Sequence, residues 1–272
     1  MVTESWVVAG PQIIEVEQVD SLRVQLVGGR VDVVVHDDPT ETGARIEVHS
    51  VSGKPLEVSL ADGELRVGYS FTLVGWEGFV EKFRTFRDKE SADVHIAVPR
   101  TIAVKLGTVT AEGLLAGVQH DASVSTVSGS IVTDSTRGAL SANAVSGEIV
   151  VRNHTGDLTL NTISGDVTAA GDLARVHANT VAGALVLDVS TGTSSIGATT
   201  VSGDITVRLP QGRGVNVEAR SVTGRVVVDG HDYKAPMPGQ TKVDLREGDG
   251  ACFVSTTSVS GHLTVLRGGG VA

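Results

Sequence analysis

The hexapeptide Thr126-Val127-Ser128-Gly129-Ser130-Ile131 returns along the chain as AVSGEI at 144–149, TISGDV at 162–167, TVAGAL at 180–185, TVSGDI at 200–205, SVTGRV at 221–226 and SVSGHL at 258–263. Its glycines are Gly129, Gly147, Gly165, Gly183, Gly203, Gly224 and Gly261, with successive gaps of 18, 18, 18, 20, 21 and 37 residues. The last gap is close to two periods, so a degenerate copy is expected within 225–260. A self-similar period of this length is the signature of a stacked repeat architecture.

Apolar residues flank the glycines at even offsets: Val127 and Ile131, Val145 and Ile149, Ile163 and Val167, Val181 and Leu185. A two-residue period is that of a β-strand, and it sets the residues at minus two and plus two on the same, inward side as the glycine. Half a period later come Gly138, Gly156 and Ala174, followed at plus two by Leu140, Leu158 and Val176. A unit of 18 residues cannot bury its own apolar face, but a stack of such units can. The expected fold is therefore all-β: a parallel β-solenoid of about 18 residues and two short strands per coil, right-handed by the crossover rule. The intervals between inward apolar residues are 4, 9 and 5 and not 6, 6 and 6, which argues against the hexapeptide helix of acyltransferases.

Two polar columns accompany the glycines. Asn143, Asn161 and Asn179 stand four residues before three successive copies. Ser128, Ser146, Ser164, Ser202 and Ser260 stand one before, with Thr223 as a relative. Stacked amides bond from coil to coil, so a structural ladder is the expected role of the asparagines.

Residues 1–100 differ from the repeat. Longer alternating segments at 21–26, 30–35, 44–50, 56–60, 64–69 and 93–99 read as half-buried strands of a β-rich N-terminal cap, needed because a bare terminal coil exposes a β edge. The repeat proper is assigned to 101–267, with 268–272 as a short tail. Within the cap, 76–90 holds Phe79, Phe83 and Phe86 at helical spacing beside Trp76, among basic residues. It reads as an amphipathic plug for the core or as a docking element for a partner. A second candidate recognition loop is the insertion at 230–242, with Tyr233 and Met237; LPQGRG at 209–214 is a shorter insertion.

The chain has 272 residues, 33 of them glycine and about one in six valine, with 3% aromatics and a formal net charge of −10. That composition favours strands and tight turns over helix bundles, and the acidity argues against nucleic-acid binding. Cys252 is the only cysteine, so neither an internal disulfide nor a cysteine-based metal cluster is available. No apolar stretch approaches the ~18 residues of a membrane span. The N-terminal residues lack a basic and apolar leader, so the expected location is cytoplasmic, with envelope association only through a partner.

Catalytic signatures are missing: no G-x-S-x-G elbow, P-loop, HExxH or strand–GxGxxG–helix pattern occurs. The eight histidines form no metal-ligand pair. Glu148 and Asp166 would stack in adjacent coils, the one pairing that suggests a cation or acid–base site; a solvated acidic face is the expected reading.

Alternating strands leading to Val94-His95-Ile96-Ala97-Val98-Pro99, then TVSG, AVSG and TISG phrases separated by Gly-x-Leu half-coils, together resemble the bacterial putative-adhesin family of β-strand-repeat domains. The resemblance covers roughly residues 10–267. It implies a non-enzymatic scaffold or binding module, without cofactor, that contacts a protein or glycan partner. The alternative is a self-associating cytoskeletal scaffold similar to bactofilins; a glycan-active enzyme is a third, weaker expectation.

Overall fold

The computed structural model describes residues 4–36, 38, 40–69, 90–190, 194–212, 214–233, 241–248 and 251–268. Every regular element among them is a β-strand. The chain divides into two compact units, 1–130 and 131–272.

The first unit contains β1 (Glu4–Val8), β2 (Gln12–Val16), β3 (Ser21–Leu26), β4 (Gly28–Val35), β5 (Ala44–Ser52), β6 (Leu56–Ala61), β7 (Glu64–Gly68), β8 (Ser91–Val98), β9 (Ala103–Thr108), β10 (Glu112–Ala116) and β11 (Ala122–Thr126). Alternation along these strands puts Leu22, Val24 and Leu26, and likewise Val94, Ile96 and Val98, into the interior. One row of pairing runs β1–β6–β7–β3–β9–β11 and another β2–β5–β8–β4–β10. The strands from β7 to β11 and from β8 to β10 pair in parallel, whereas β1, β2, β5 and β6 join antiparallel. The early segment β3–β4 thus lies between the β7–β8 and β9–β10 segments, out of chain order.

The second unit contains β12 (Ile131–Asp134), β13 (Arg137–Ala144), β14 (Ile149–Thr162), β15 (Val167–Thr180), β16 (Leu185–Val189), β17 (Ser194–Thr200), β18 (Ile205–Leu209), β19 (Val215–Ser221), β20 (Val226–Val228), β21 (His231–Tyr233), β22 (Thr241–Glu247), β23 (Cys252–Ser258) and β24 (Leu263–Arg267). Two interior ladders run through it. Ile131, Ile149, Val167, Leu185, Ile205, Leu263 and Val226 are successive register partners on one side. Leu140, Leu158, Val176, Ile196, Val254 and Val217 are partners on the other. Each is buried, and burying a valine, leucine or isoleucine fully is worth about 1.5–3 kcal/mol.

These pairings correct the expectation of a parallel β-solenoid. The fold is all-β with mixed strand orientation. β22 pairs antiparallel with β19, and β21 with β20, so these two strands do not belong to a degenerate parallel coil. Chain order fails as well: β23 lies between β17 and β19, and β24 between β18 and β20. Two strands per coil is also too simple, since β14 and β15 each run through 14 residues, with a bulge where His154 pairs Gly171. The repeat phrase specifies a parallel register wherever two copies meet, but it does not specify which copies meet.

Candidate functional surface

The recurring hexapeptide forms a corner whose polar atoms are bonded locally or to the neighbouring copy. At its first position the hydroxyl accepts the glycine amide three residues on: Gly165 N donates to Thr162 Oγ1 at 3.0 Å, Gly203 N to Thr200 at 2.9 Å, Gly224 N to Ser221 at 2.8 Å and Gly261 N to Ser258 at 2.7 Å. At the third position a hydroxyl donates to the carbonyl of the valine or isoleucine position next door. Ser164 bonds Val145, Ser202 bonds Val181, Ser260 bonds Val201 and Thr223 bonds Val259, at 3.1–3.2 Å. The glycine is required by close approach. A Cβ on Gly165 would lie 1.9 Å from the Gly147 carbonyl oxygen, and one on Gly203 would lie 1.9 Å from that of Gly183.

Two of the acids after the glycine, Asp166 and Asp204, also bond to the neighbouring copy. Asp166 Oδ1 accepts the Ala184 amide at 2.7 Å, and Asp204 Oδ1 accepts that of His262 at 2.8 Å. They cap backbone donors that the corner would leave unpaired. No cluster of three or more His, Cys, Asp or Glu able to hold a metal ion occurs among the described residues. Asn161 Nδ2 donates to Asn143 Oδ1, and Asn179 Nδ2 to Asn161 Oδ1, both at 3.0 Å.

The second residue of the corner is buried as expected in the first copy, at Val127, but not in the six copies that follow. Val145 and Ile163 are half-buried, and Val181, Val201, Val259 and Val222 are 46–48% exposed. Register pairs Thr180 with Thr200, Thr200 with Ser258 and Ser258 with Ser221, so the residues that follow them line up in the order Val181, Val201, Val259, Val222. Together with Val145 and Ile163 they form an apolar column on the outer side of the corner. The inward residue is the one before it: Ala144, Thr162, Thr180, Thr200, Ser221 and Ser258 are buried. Strand parity counted forward from Leu140 and Ala142 leads to Ala144 and carries this signal. The corner then shifts the phase, so that the next inward residues are the glycine and the apolar residue two beyond it.

Of the candidate contact residues, Tyr233 is half-buried at the end of β21, opposite Val226. Trp76, Phe79, Phe83, Phe86 and Met237 lie outside the described residues. The repeat glycines of the second unit come together in the order Gly147, Gly165, Gly183, Gly203, Gly261, Gly224, while Gly129 lies against the carbonyl of Ala111 in the first. Sequence reading also missed His154. It is buried in the β14 bulge, with Nδ1 2.9 Å from Thr136 Oγ1 and Nε2 3.2 Å from the Asp157 carbonyl. Burial lowers its pKa below the ordinary histidine value, against smaller opposing contributions from the Asp157 and Thr136 bonds.

No helix among the described residues is long and apolar enough to cross a membrane. No family model matches the chain, and no curated protein does. Among solved structures it is similar to a putative adhesin from Bacteroides fragilis, at 14% identity over 97% of this chain and 96% of that one, with a TM-score of 0.44. A putative lipid binding protein from Parabacteroides distasonis is 11% identical over 95% of this chain and 97% of that one, with a TM-score of 0.43. A putative cell adhesion protein from Clostridium sporogenes is 12% identical over 95% of this chain and all of that one, with a TM-score of 0.30.

Proposed function

We propose that this chain is a non-enzymatic β-scaffold that binds a protein or glycan partner, and that the outward column of Val145, Ile163, Val181, Val201, Val259 and Val222 is its contact strip. The single supporting observation is that column. Neighbouring hydroxyls, carboxylates and amides are engaged in bonds that hold the scaffold together, while the apolar side chains beside them are left facing solvent. Contiguous exposed apolar surface of this kind marks interaction sites on folded proteins. Asp166 and Asp204, beside the strip, cap backbone amides, which gives these two carboxylates a structural use.

The test is retention of cell-surface polysaccharides and proteins on the immobilised full chain, with turnover of each glycan assayed in parallel. The wild type should retain a ligand that a Val181→Asp, Val201→Asp, Val259→Asp variant of unchanged folding loses. Equal retention by both, or hydrolysis of a retained glycan, would overturn the reading.

Self-assembly into an open polymer is less well supported. End-to-end growth needs bare parallel edges. In the second unit the outer strands β21 and β22 are antiparallel, and β22 carries exposed Lys242, Asp244, Arg246 and Glu247, residues of the kind that block edge pairing. Sedimentation at rising concentration separates the two readings, since open-ended growth gives ever longer particles.

A further inference from the structure

β23 and β24 come last in the chain but occupy the middle of their ladders. β23 lies between β17 and β19, and β24 between β18 and β20. The walls of this slot are both built from residues 194–228. The bonds that the segment makes to one wall are repeated, in kind, by the bonds that the other wall makes to the segment. Ser260 Oγ donates to the Val201 carbonyl as Thr223 Oγ1 donates to that of Val259, both at 3.2 Å. Asp204 caps the His262 amide at 2.8 Å, and His262 Nδ1 caps the Arg225 amide at 3.1 Å. Gly261 lies against the Gly203 carbonyl as Gly224 lies against that of Gly261. None of these contacts depends on the segment belonging to the same chain as the slot.

The covalent restraint is the connection from Glu247 to Cys252. Both residues are register partners of Val215, from opposite sides of β19. Gly248 has φ +70° and is packed so closely that a Cβ would lie 2.8 Å from Gly214 Cα. A short hinge favours exchange, because the same contacts re-form with a second copy when it opens out. At the far end the Arg267 amide and Nε bond Asp229 at 2.8 and 2.6 Å, and its Nη2 reaches Glu247. That clamp holds the segment in whichever slot it enters.

The geometry points to strand exchange between two copies of this chain: residues 252–268 of each copy fill the slot of the other, giving a closed two-fold dimer. Filling within one chain wins in dilute solution, because a short connection holds the segment at an effective concentration of about millimolar. Refolding at high protein concentration favours the exchanged form.

The register supplies the test, since Ser194 is the direct partner of Cys252 and both are buried. Two isotopically distinct preparations of the full-length Ser194→Cys chain are mixed while unfolded and reduced, refolded at rising concentration, and then oxidised. Wild type is refolded in parallel, and native mass spectrometry and non-reducing denaturing gels are read on each. The expected result is a mixed-isotope dimer whose fraction rises with concentration in both proteins. In the variant it should survive denaturation as chains joined through a disulfide between positions 194 and 252. Monomer at every concentration would overturn the proposal. So would a dimer that separates, on denaturation, into internally cross-linked or uncross-linked chains.

Discussion

Gly224 lies against the backbone of Gly261, and Gly261 against that of Gly203, so the last copy of the repeat separates the two copies that precede it. A Cβ at position 224 would stand 1.9 Å from the Gly261 carbonyl oxygen. That oxygen belongs to backbone flanked by paired strands and cannot swing aside as the end of a side chain would. Gly224→Ala should therefore lower stability by about 2–3 kcal/mol, the cost of overpacking without a route for relaxation. Gly268→Ala, where a Cβ meets nothing within 4 Å, should stay within about 0.5 kcal/mol. Urea midpoints of the two variants decide it, and equal shifts would contradict the stacking.

Inward and outward positions within a single copy differ as sharply. Val201 is 46% exposed, whereas Ile205, four residues on, is buried between Leu185 and Leu263. Val201→Asp should cost about 1 kcal/mol or less, because only part of a valine's burial is lost. Ile205→Asp forces an unpaired carboxylate into the ladder and should cost several kcal/mol. Comparable denaturation midpoints for the two would refute the assignment of the outer column.

How far this was legible from sequence is clear from the same residues. The glycine spacing announces strands, an in-register parallel ladder and the stacking of Asn143, Asn161 and Asn179, because each depends only on contact between like copies. It says nothing of the order in which copies meet, since Gly203 offers the same carbonyl to Gly224 as to Gly261. Nor does it show that β21 and β22 run antiparallel to their neighbours, a decision made by the β20–β21 turn and by pairing with β19. The outward valines were misassigned because even offsets were counted across the corner, where the Thr-x-x-Gly turn shifts the strand phase. His154 was invisible because its partner Thr136 comes from the neighbouring strand connection rather than from its own motif.

The direction of the asparagine ladder has a measurable consequence. Asn161 donates to Asn143 Oδ1 and accepts from Asn179 Nδ2. Asn161→Asp keeps the acceptor but sets two oxygens face to face at a 3.0 Å contact, and should cost about 1–2 kcal/mol. Asn143→Asp leaves an acceptor facing the Asn161 donor and should be milder by about 1 kcal/mol. Equal costs by thermal or urea unfolding would show that the amides are oriented the other way, since Asn143 and Asn161 would then each donate once along the ladder.

Arg267 gathers Asp229 and Glu247 at the exit of β24, and the Asp229 hydrogen bond is the largest cause of its raised pKa. All three groups are partly exposed, so their attraction is screened by solvent. Arg267→Met should lower stability by about 1–2 kcal/mol at low salt and by less at 1 M salt, where the Debye length falls to about 3 Å. A cost that does not change with salt would assign the effect to packing of the arginine stem instead.

His154 is the buried group whose protonation the fold resists. A carbonyl only accepts, so the bond to Asp157 O places the proton on Nε2, and Nδ1 accepts from the Thr136 hydroxyl. The ring is neutral in this arrangement, and a second proton would place a charge in a dry interior, a cost that the Asp157 and Thr136 contacts offset only in part. Its folded pKa is lowered by burial, whereas the unfolded value is about 6.5. Between those two values the unfolded chain binds more protons, so stability rises with pH across that window. The contribution is fully present above about pH 6.5 and is lost as pH falls toward the folded value. The wild-type urea midpoint should therefore drop from pH 7 to pH 5. His154→Gln, unable to titrate, should start lower at pH 7, by about 1–2 kcal/mol, but decline less over the same range. Parallel pH profiles for the two proteins would remove His154 as the source of acid sensitivity.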